Sequence, residues 1–489
     1  MSLARWLTFF AALVLFSWLA WKVISPSPPP AEQGGAIEVY CAAGIRPPVE
    51  SCAKSSGFAV QLSYGGSQTL LANAQEMKRG DLYIPADDSY LRMAREKGLV
   101  AEAIPLARMH PVLAVRKGNP KGVRGIADLL RKDIKLGVPN PEAAATGKLV
   151  KQALEKSGQW SGVKENVAVL KPTVNEVAND LKLGTIDAGF VWDATVRQYP
   201  ELERIDPPEL AGITANISAC VLKSSAKPAA ALRFARYLAA PDRGGLEFSR
   251  NGYEPAGGDA WEEHPSILLY GGAMLRPALE KTIREFEQRE GCSVTCVWNG
   301  CGILVAQMKA GAKPDLYFAC DQSFMTSVKD HFPSPRDVSI NQLVILVKKG
   351  NPHGIKELKD LAKPGLRVGI GNEKQCALGV ITQETFVQSR LQKAIEENVV
   401  TRKPTGDMLV NDLRAGALDS VVAYISNAAG AGTELEAIRV DMPCAMAVQP
   451  VGVDPASPRK QIASRLVDAF LSEESKAKFK AEGFRWKLE

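Results

Sequence analysis

The chain has 489 residues, of which 46% are hydrophobic and 23% charged, and a formal net charge of +6. That balance belongs to packed globular domains and excludes a disordered or low-complexity chain. The positive charge is thinly spread, with no Lys/Arg run and no basic-aromatic interleaving, which argues against nucleic acid as a partner.

Trp6 to Ile24 carry one charge, Lys22, over about the 20 residues that a membrane-spanning helix needs, and Arg5 stands on the N-terminal side. A cleaved signal has a shorter apolar core followed by small residues. Here Trp21-Lys22-Val23 leads instead into Ser25-Pro-Ser-Pro-Pro-Pro30, a stiff spacer. Residues 1–25 are therefore expected to be a signal anchor, with a long cleaved signal peptide as the alternative, and 26–36 a Pro-rich linker. Both options put the rest of the chain on the extracytoplasmic, periplasmic side of the membrane.

From Ile37 on, short apolar runs alternate with stretches of helical periodicity. Ile37–Ala42 reads as a strand, with a helix opened by Pro47 behind it. Val60–Tyr64 is the next strand, followed by Gly-Gly-Ser and a helix from Gln68; Leu82–Pro85 is the third. Pro111–Val115, Ile134–Val138 and Ala188–Trp192 would build a second lobe, before a return through Ala219–Lys223 and the helix Pro228–Leu238. This pattern predicts an α/β fold with mostly parallel sheets, two lobes hinged near Val115 and Pro207, and a cleft between them.

The whole pattern is then repeated. Ile37–Glu50 returns as Ile267–Glu280, Asp81–Asp87 as Asp315–Asp321, Lys117-Gly-Asn-Pro120 as Lys349-Gly-Asn-Pro352, and Leu183–Asp187 as Ala415–Asp419. The period far exceeds that of solenoids, so each copy is a domain. The expected boundaries are 37–257 for copy 1, 258–266 for a linker and 267–489 for copy 2.

Tyr64-Gly-Gly-Ser67, Gly80–Asp87, Val115–Pro120, Gly137–Gly147 and Gly184–Trp192, in that order and present twice, resemble the substrate-binding proteins of ABC importers. The similarity is greatest to the molybdate- and tungstate-binding branch, with its two-lobed periplasmic-binding-protein type 2 fold. The resemblance implies a tandem pair of such domains that capture a small anion and deliver it to ABC permease subunits, and the expected N-terminal anchor would keep them near that permease. It also implies a pocket of hydroxyls and backbone N–H groups lined by Gly44, Ser67, Ala86, Ala144, Ala145, Val174 and Trp192 in copy 1. The copy 2 counterparts are Met274, Cys301, Cys320, Cys376, Ala377, Gly406 and Tyr424. Branch members commonly have Ser where this chain has Gly44 and Met274, and Tyr where it has Trp192.

Ser67 and Thr146 are candidate hydroxyl donors, or else caps of their own helices. Arg46 and Arg276, each one residue before a helix-opening proline, either reach an anion in the cleft or stay solvated. Six of the nine cysteines fall in copy 2. Cys301, Cys320 and Cys376 align with three pocket loops, which leaves open a soft-metal site, a disulfide, or plain small apolar residues. No hydrolase, metalloprotease, Walker or dinucleotide motif is present, so no catalytic residue and no cofactor is expected. A membrane-anchored sensor or scaffold that transports nothing is the rival reading.

Overall fold

The computed structural model describes residues 35–429 and 433–487. The expected anchor and most of the Pro-rich linker lie outside the described residues. No helix among those described is long and apolar enough to cross a membrane.

Copy 1 begins with strands β1 (Ile37–Ala42), β2 (Val60–Gly65), β3 (Leu82–Ile84) and β4 (Val100–Met109). The second lobe holds β5 (Pro111–Arg116), β6 (Leu136–Pro139), β7 (Val167–Lys171), β8 (Ala188–Trp192) and β9 (Leu202–Ile205). The chain then returns to the first lobe as β10 (Ala215–Leu222) and β11 (Glu254–Pro255). The two sheets have strand orders β11-β4-β10-β3-β1-β2 and β7-β6-β8-β5-β9. They are mixed rather than mostly parallel. β10 runs antiparallel to β3 and β4, and β5 antiparallel to β8 and β9, because each is a strand that has just crossed between lobes.

The forward crossing falls at His110, between β4 and β5, and not near Val115, which is buried inside β5. A sequence run of apolar residues cannot show where one sheet hands over to the next. His110 also binds the return crossing, its Nδ1 lying 2.9 Å from the Ile213 carbonyl.

Copy 2 repeats the plan with β12 (Ser266–Gly272), β13 (Ser293–Asn299), β14 (Leu316–Phe318), β15 (Arg336–Lys348), β16 (Val368–Gly371), β17 (Val399–Lys403), β18 (Ser420–Tyr424), β19 (Leu435–Arg439), β20 (Met446–Val453) and β21 (Arg485–Trp486). Here β15 runs unbroken through both lobes, pairing with β20 up to Gln342 and with β18 from Leu343. Gln342 takes the place of His110 and donates to the Val440 carbonyl at 3.1 Å. A single apolar cluster extends across both lobes of copy 2 and includes Met274, Cys301, Cys320, Cys376 and Tyr424.

The copies meet through their first lobes. Arg289 makes two hydrogen bonds to Glu102, at 2.8 and 2.7 Å. Glu290, 2% exposed, sits between Arg465, which binds it at 2.6 and 3.0 Å, and Arg236 of copy 1, which donates to its carbonyl at 3.0 Å. Between the copies, Asp259 accepts from Gln461 N and Ile462 N at the start of the helix Lys460–Phe470, both at 2.9 Å. Trp261 stacks edge-on against Tyr237 and Phe58. The second lobes take no part in these contacts, so the joint leaves both clefts free to open.

Candidate binding clefts

In copy 1 the loops after β1, β2, β3, β6 and β7 and the end of β8 converge on one cavity. It is lined by Gly44, Ser67, Ala86, Ala144, Ala145, Thr146, Val174 and Trp192, together with Ala42, Ala43, Gly65, Gly66 and Thr173. The structure thus gathers every copy 1 candidate except Arg46 around one space. That space offers about 20 Å³ to the centre of a water-sized sphere. One water needs roughly 10–15 Å³ on that measure, so the cavity suits a ligand of a few atoms.

Its polarity comes from helix ends. The helices Ser67–Met77 and Ala145–Lys156 start at the cavity from Gly66 and Ala144, and neither has a side-chain cap. The first N–H groups of a helix have no partner within it, and the helix dipole makes that end positive. By contrast, the helices Asp88–Glu96 and Val174–Leu183 are capped, by Asp87 and Thr173.

Neither Ser67 nor Thr146 caps a helix. Ser67 Oγ accepts from Ala86 N at 3.1 Å, which leaves its own proton free to donate. Thr146 Oγ1 is buried and finds no hydrogen-bond partner among the described residues. The described lining carries no Lys or Arg. Arg46 turns outward, its Nε 2.9 Å from Glu50 and its guanidinium 4.9 Å above the Tyr64 ring. Arg276 does the same, pairing with Glu280.

The lobes touch across the cleft. Gln68 N donates to Ala143 O at 3.2 Å, and a Cβ at Gly66 would stand 2.5 Å from that oxygen, so only glycine permits this approach. Gly44 leaves room in the same way, since a Cβ there would lie 3.0 Å from both Trp192 and Val174. The Tyr253 hydroxyl donates to the Gly44 carbonyl and holds that loop. Sequence reading missed Tyr253 as a support.

Copy 2 has the same frame. Gly302 N donates to Gln375 O at 2.9 Å, the counterpart of the copy 1 lobe contact. The helices Cys301–Lys309, Ala377–Gln388 and Gly406–Arg414 likewise start without a side-chain cap. The contents differ. Leu378 replaces Thr146 and Met274 replaces Gly44. Asn427 covers Gly406, donating to Asp407 and accepting from Tyr424 N.

The three cysteines do not converge as a metal site. Cys376 turns to the carbonyls of Asn372 and Lys403, at 3.4 and 3.7 Å, and burial pushes its thiol up to about 11, so it is a protonated donor. Among the described residues, no group of three His, Cys, Asp or Glu side chains could hold a metal ion. Of the three cysteines offered as a soft-metal site, Cys301 and Cys320 lie against each other, and Cys376 is held by the lobe 2 backbone.

With two lobes in each copy and a lined cavity between those of the first, the fold is that of a periplasmic binding protein. The chain belongs to the family of bacterial extracellular solute-binding proteins, whose model matches residues 37–254 and again 267–485. It is 28% identical over 220 residues to a binding protein of Haemophilus influenzae, covering 45% of this chain and 90% of that one. It is 27% identical over 179 residues to the molybdate-binding protein ModA of Mycobacterium tuberculosis, covering 36% of this chain and 66% of that protein. Among solved structures it is similar to the periplasmic molybdate-binding protein of Azotobacter vinelandii, at 19% identity and a TM-score of 0.41, covering 45% of this chain and 98% of that one.

Proposed function

We propose that copy 1 is an extracytoplasmic receptor for a small oxyanion of the molybdate, tungstate or sulfate kind, which it delivers to the permease of an ABC importer. The observation that carries this is the buried, unpartnered Thr146 hydroxyl beside two uncapped helix starts, in a cavity whose described lining has no cationic side chain. Oriented N–H groups hold an anion at fixed partial charges and gain strength from the low dielectric around them. Gly44, Ser67, Ala86, Ala144, Ala145, Thr146, Val174 and Trp192 would form the contact surface, with Ser67 and Thr146 donating hydroxyls. The molybdate-binding relatives support the same ligand class. Tethering through residues 6–24 would keep the receptor beside its permease.

The two copies are unequal in this reading. Leu378 gives copy 2 no hydroxyl at the Thr146 position, and its cleft floor carries sulfur in place of the Ser67 hydroxyl. Calorimetric titration of the reduced full chain with molybdate, tungstate, sulfate and phosphate tests both points. Tight binding of one of them with a stoichiometry near one is expected. Absence of heat with all four would sink the oxyanion reading, and a stoichiometry near two would sink the inequality. A ligand-dependent pull-down of permease subunits separates transport from a sensor or scaffold role.

A further inference from the structure

The sulfur pair on the floor of the second cleft has no counterpart in the first. Cys301 opens the helix Cys301–Lys309 and Cys320 lies in the loop after β14. The Cys301 and Cys320 sulfurs lie 2.8 Å apart, within hydrogen-bond reach of each other, and Cys320 N donates to the Cys301 sulfur at 3.1 Å. The second bond reproduces that from Ala86 N to Ser67 Oγ in copy 1, so the frame is shared and only the sulfurs are new. Gly272 makes the space: a Cβ there would overlap the Cys320 sulfur, and the equivalent residue in copy 1 is Ala42.

We propose that Cys301 and Cys320 form a reversible disulfide on the floor of the copy 2 cleft, made by exchange with a disulfide oxidant while the lobes are apart. Both residues are buried, and Gly300 packs against the carbonyls of Gln375 and Pro404 from the opposite lobe, so a reagent reaches the sulfurs only through an open cleft. Cys301 is the attacking group. Burial alone would raise its thiol, but the hydrogen bonds from the Cys320 side chain and N–H outweigh that and bring it below its ordinary value. Its place at a helix N-terminus acts in the same direction. The bond to Cys301, together with burial, holds Cys320 well above its ordinary range, as suits the second, resolving thiol.

The exchange balances. The Cys301 thiolate attacks one sulfur of an oxidant RSSR and releases RS⁻, leaving a mixed disulfide on Cys301. The Cys320 thiol loses its proton and attacks the Cys301 sulfur, which forms the internal bond and releases the second RS⁻. Two protein thiols are oxidised and one external disulfide is reduced to two thiols. The oxidant is a small-molecule disulfide or a dithiol oxidase, the kind of reagent found in an extracytoplasmic compartment. Both sulfurs belong to the first lobe, so the bond changes the cleft floor without tying the lobes together.

The test is to hold the full chain overnight in glutathione buffers from fully reduced to fully oxidised, cap free thiols with an alkylating reagent, digest, and map adducts by mass spectrometry. Overnight exposure covers the minutes to hours of uncatalysed exchange. The expected result is loss of both alkyl adducts at Cys301 and Cys320, appearance of their joined peptide as the buffer becomes oxidising, and full return with dithiothreitol. Cys301→Ser and Cys320→Ala install the residues that copy 1 carries, and each should abolish the joined peptide while the protein still melts cooperatively. Cys376→Ser should leave the joined peptide in place. Persistent alkylation of both cysteines in every buffer would overturn the proposal, as would pairing of either with Cys376. This readout is independent of oxyanion binding, so the two proposals fail separately.

Discussion

Replacing Thr146 by Val should move stability and affinity in opposite directions. The Thr146 side chain is 1% exposed and its hydroxyl finds no partner among the described residues, so the empty protein bears the desolvation of an unpaired polar group. Such a group costs about 1–3 kcal/mol. Valine has nearly the same shape and removes the hydroxyl, so the ligand-free protein should gain on the order of 1 kcal/mol. For a domain the size of one copy that is about 2–4 °C in melting temperature. With anion bound, the same hydroxyl donates to a charged oxygen, a bond contributing about 1.5–3 kcal/mol. At about 1.4 kcal/mol per factor of ten, Thr146→Val should weaken binding roughly 10- to 150-fold. Scanning calorimetry of the ligand-free protein and titration with the preferred oxyanion read the two effects. A variant that melts lower and binds as tightly as the parent would refute the reasoning, because the hydroxyl would then be serving the fold and not the ligand.

Arg46→Ala should change oxyanion affinity by less than about twofold, since its guanidinium is spent on an exposed pair with Glu50; a tenfold loss in titration would put Arg46 back in the cleft. Glu290→Gln leaves Arg236 and Arg465 buried together without their shared carboxylate, so chemical denaturation should show a loss of about 3–5 kcal/mol, focused on the joint between the copies. Asp407 accepts from Asn427, and loss of hydration there raises its folded-state pKa above the unfolded value. Between those two values the folded state holds more protons, so the Asp407 contribution to stability is greatest at acid pH and declines as pH rises through the raised pKa. Asp407→Asn should flatten that decline in denaturation curves recorded from pH 4 upward, and an unchanged slope would rule the residue out as its source.

The copy 1 cleft was legible because its residues lie at strand ends, where the chain order of an α/β domain already names the loops that meet. Gly44, Ser67, Ala86, Ala144, Val174 and Trp192 come from six separate strand ends, yet all line the same cavity. The arginines were not legible in the same way. Arg46 and Arg276 sit at a cleft loop in sequence, and only the rotamer that reaches Glu50 or Glu280, one helical turn on, turns them outward. The three cysteines posed a similar problem: alignment put them on three loops but could not say which sulfurs face each other.

The duplication, the α/β alternation, the two-lobed plan of each copy and the loops that carry the cleft were determined by the sequence itself, because periodicity and repeated turn residues are local properties of a chain. The tertiary structure alone decided where the lobes exchange strands, that the sheets are mixed, that the copies join by their first lobes through Glu290, and that Cys301 meets Cys320 while Cys376 turns away. Each of these depends on groups far apart in the chain being brought within a few ångströms, and on which partner then satisfies a buried charge, hydroxyl or thiol.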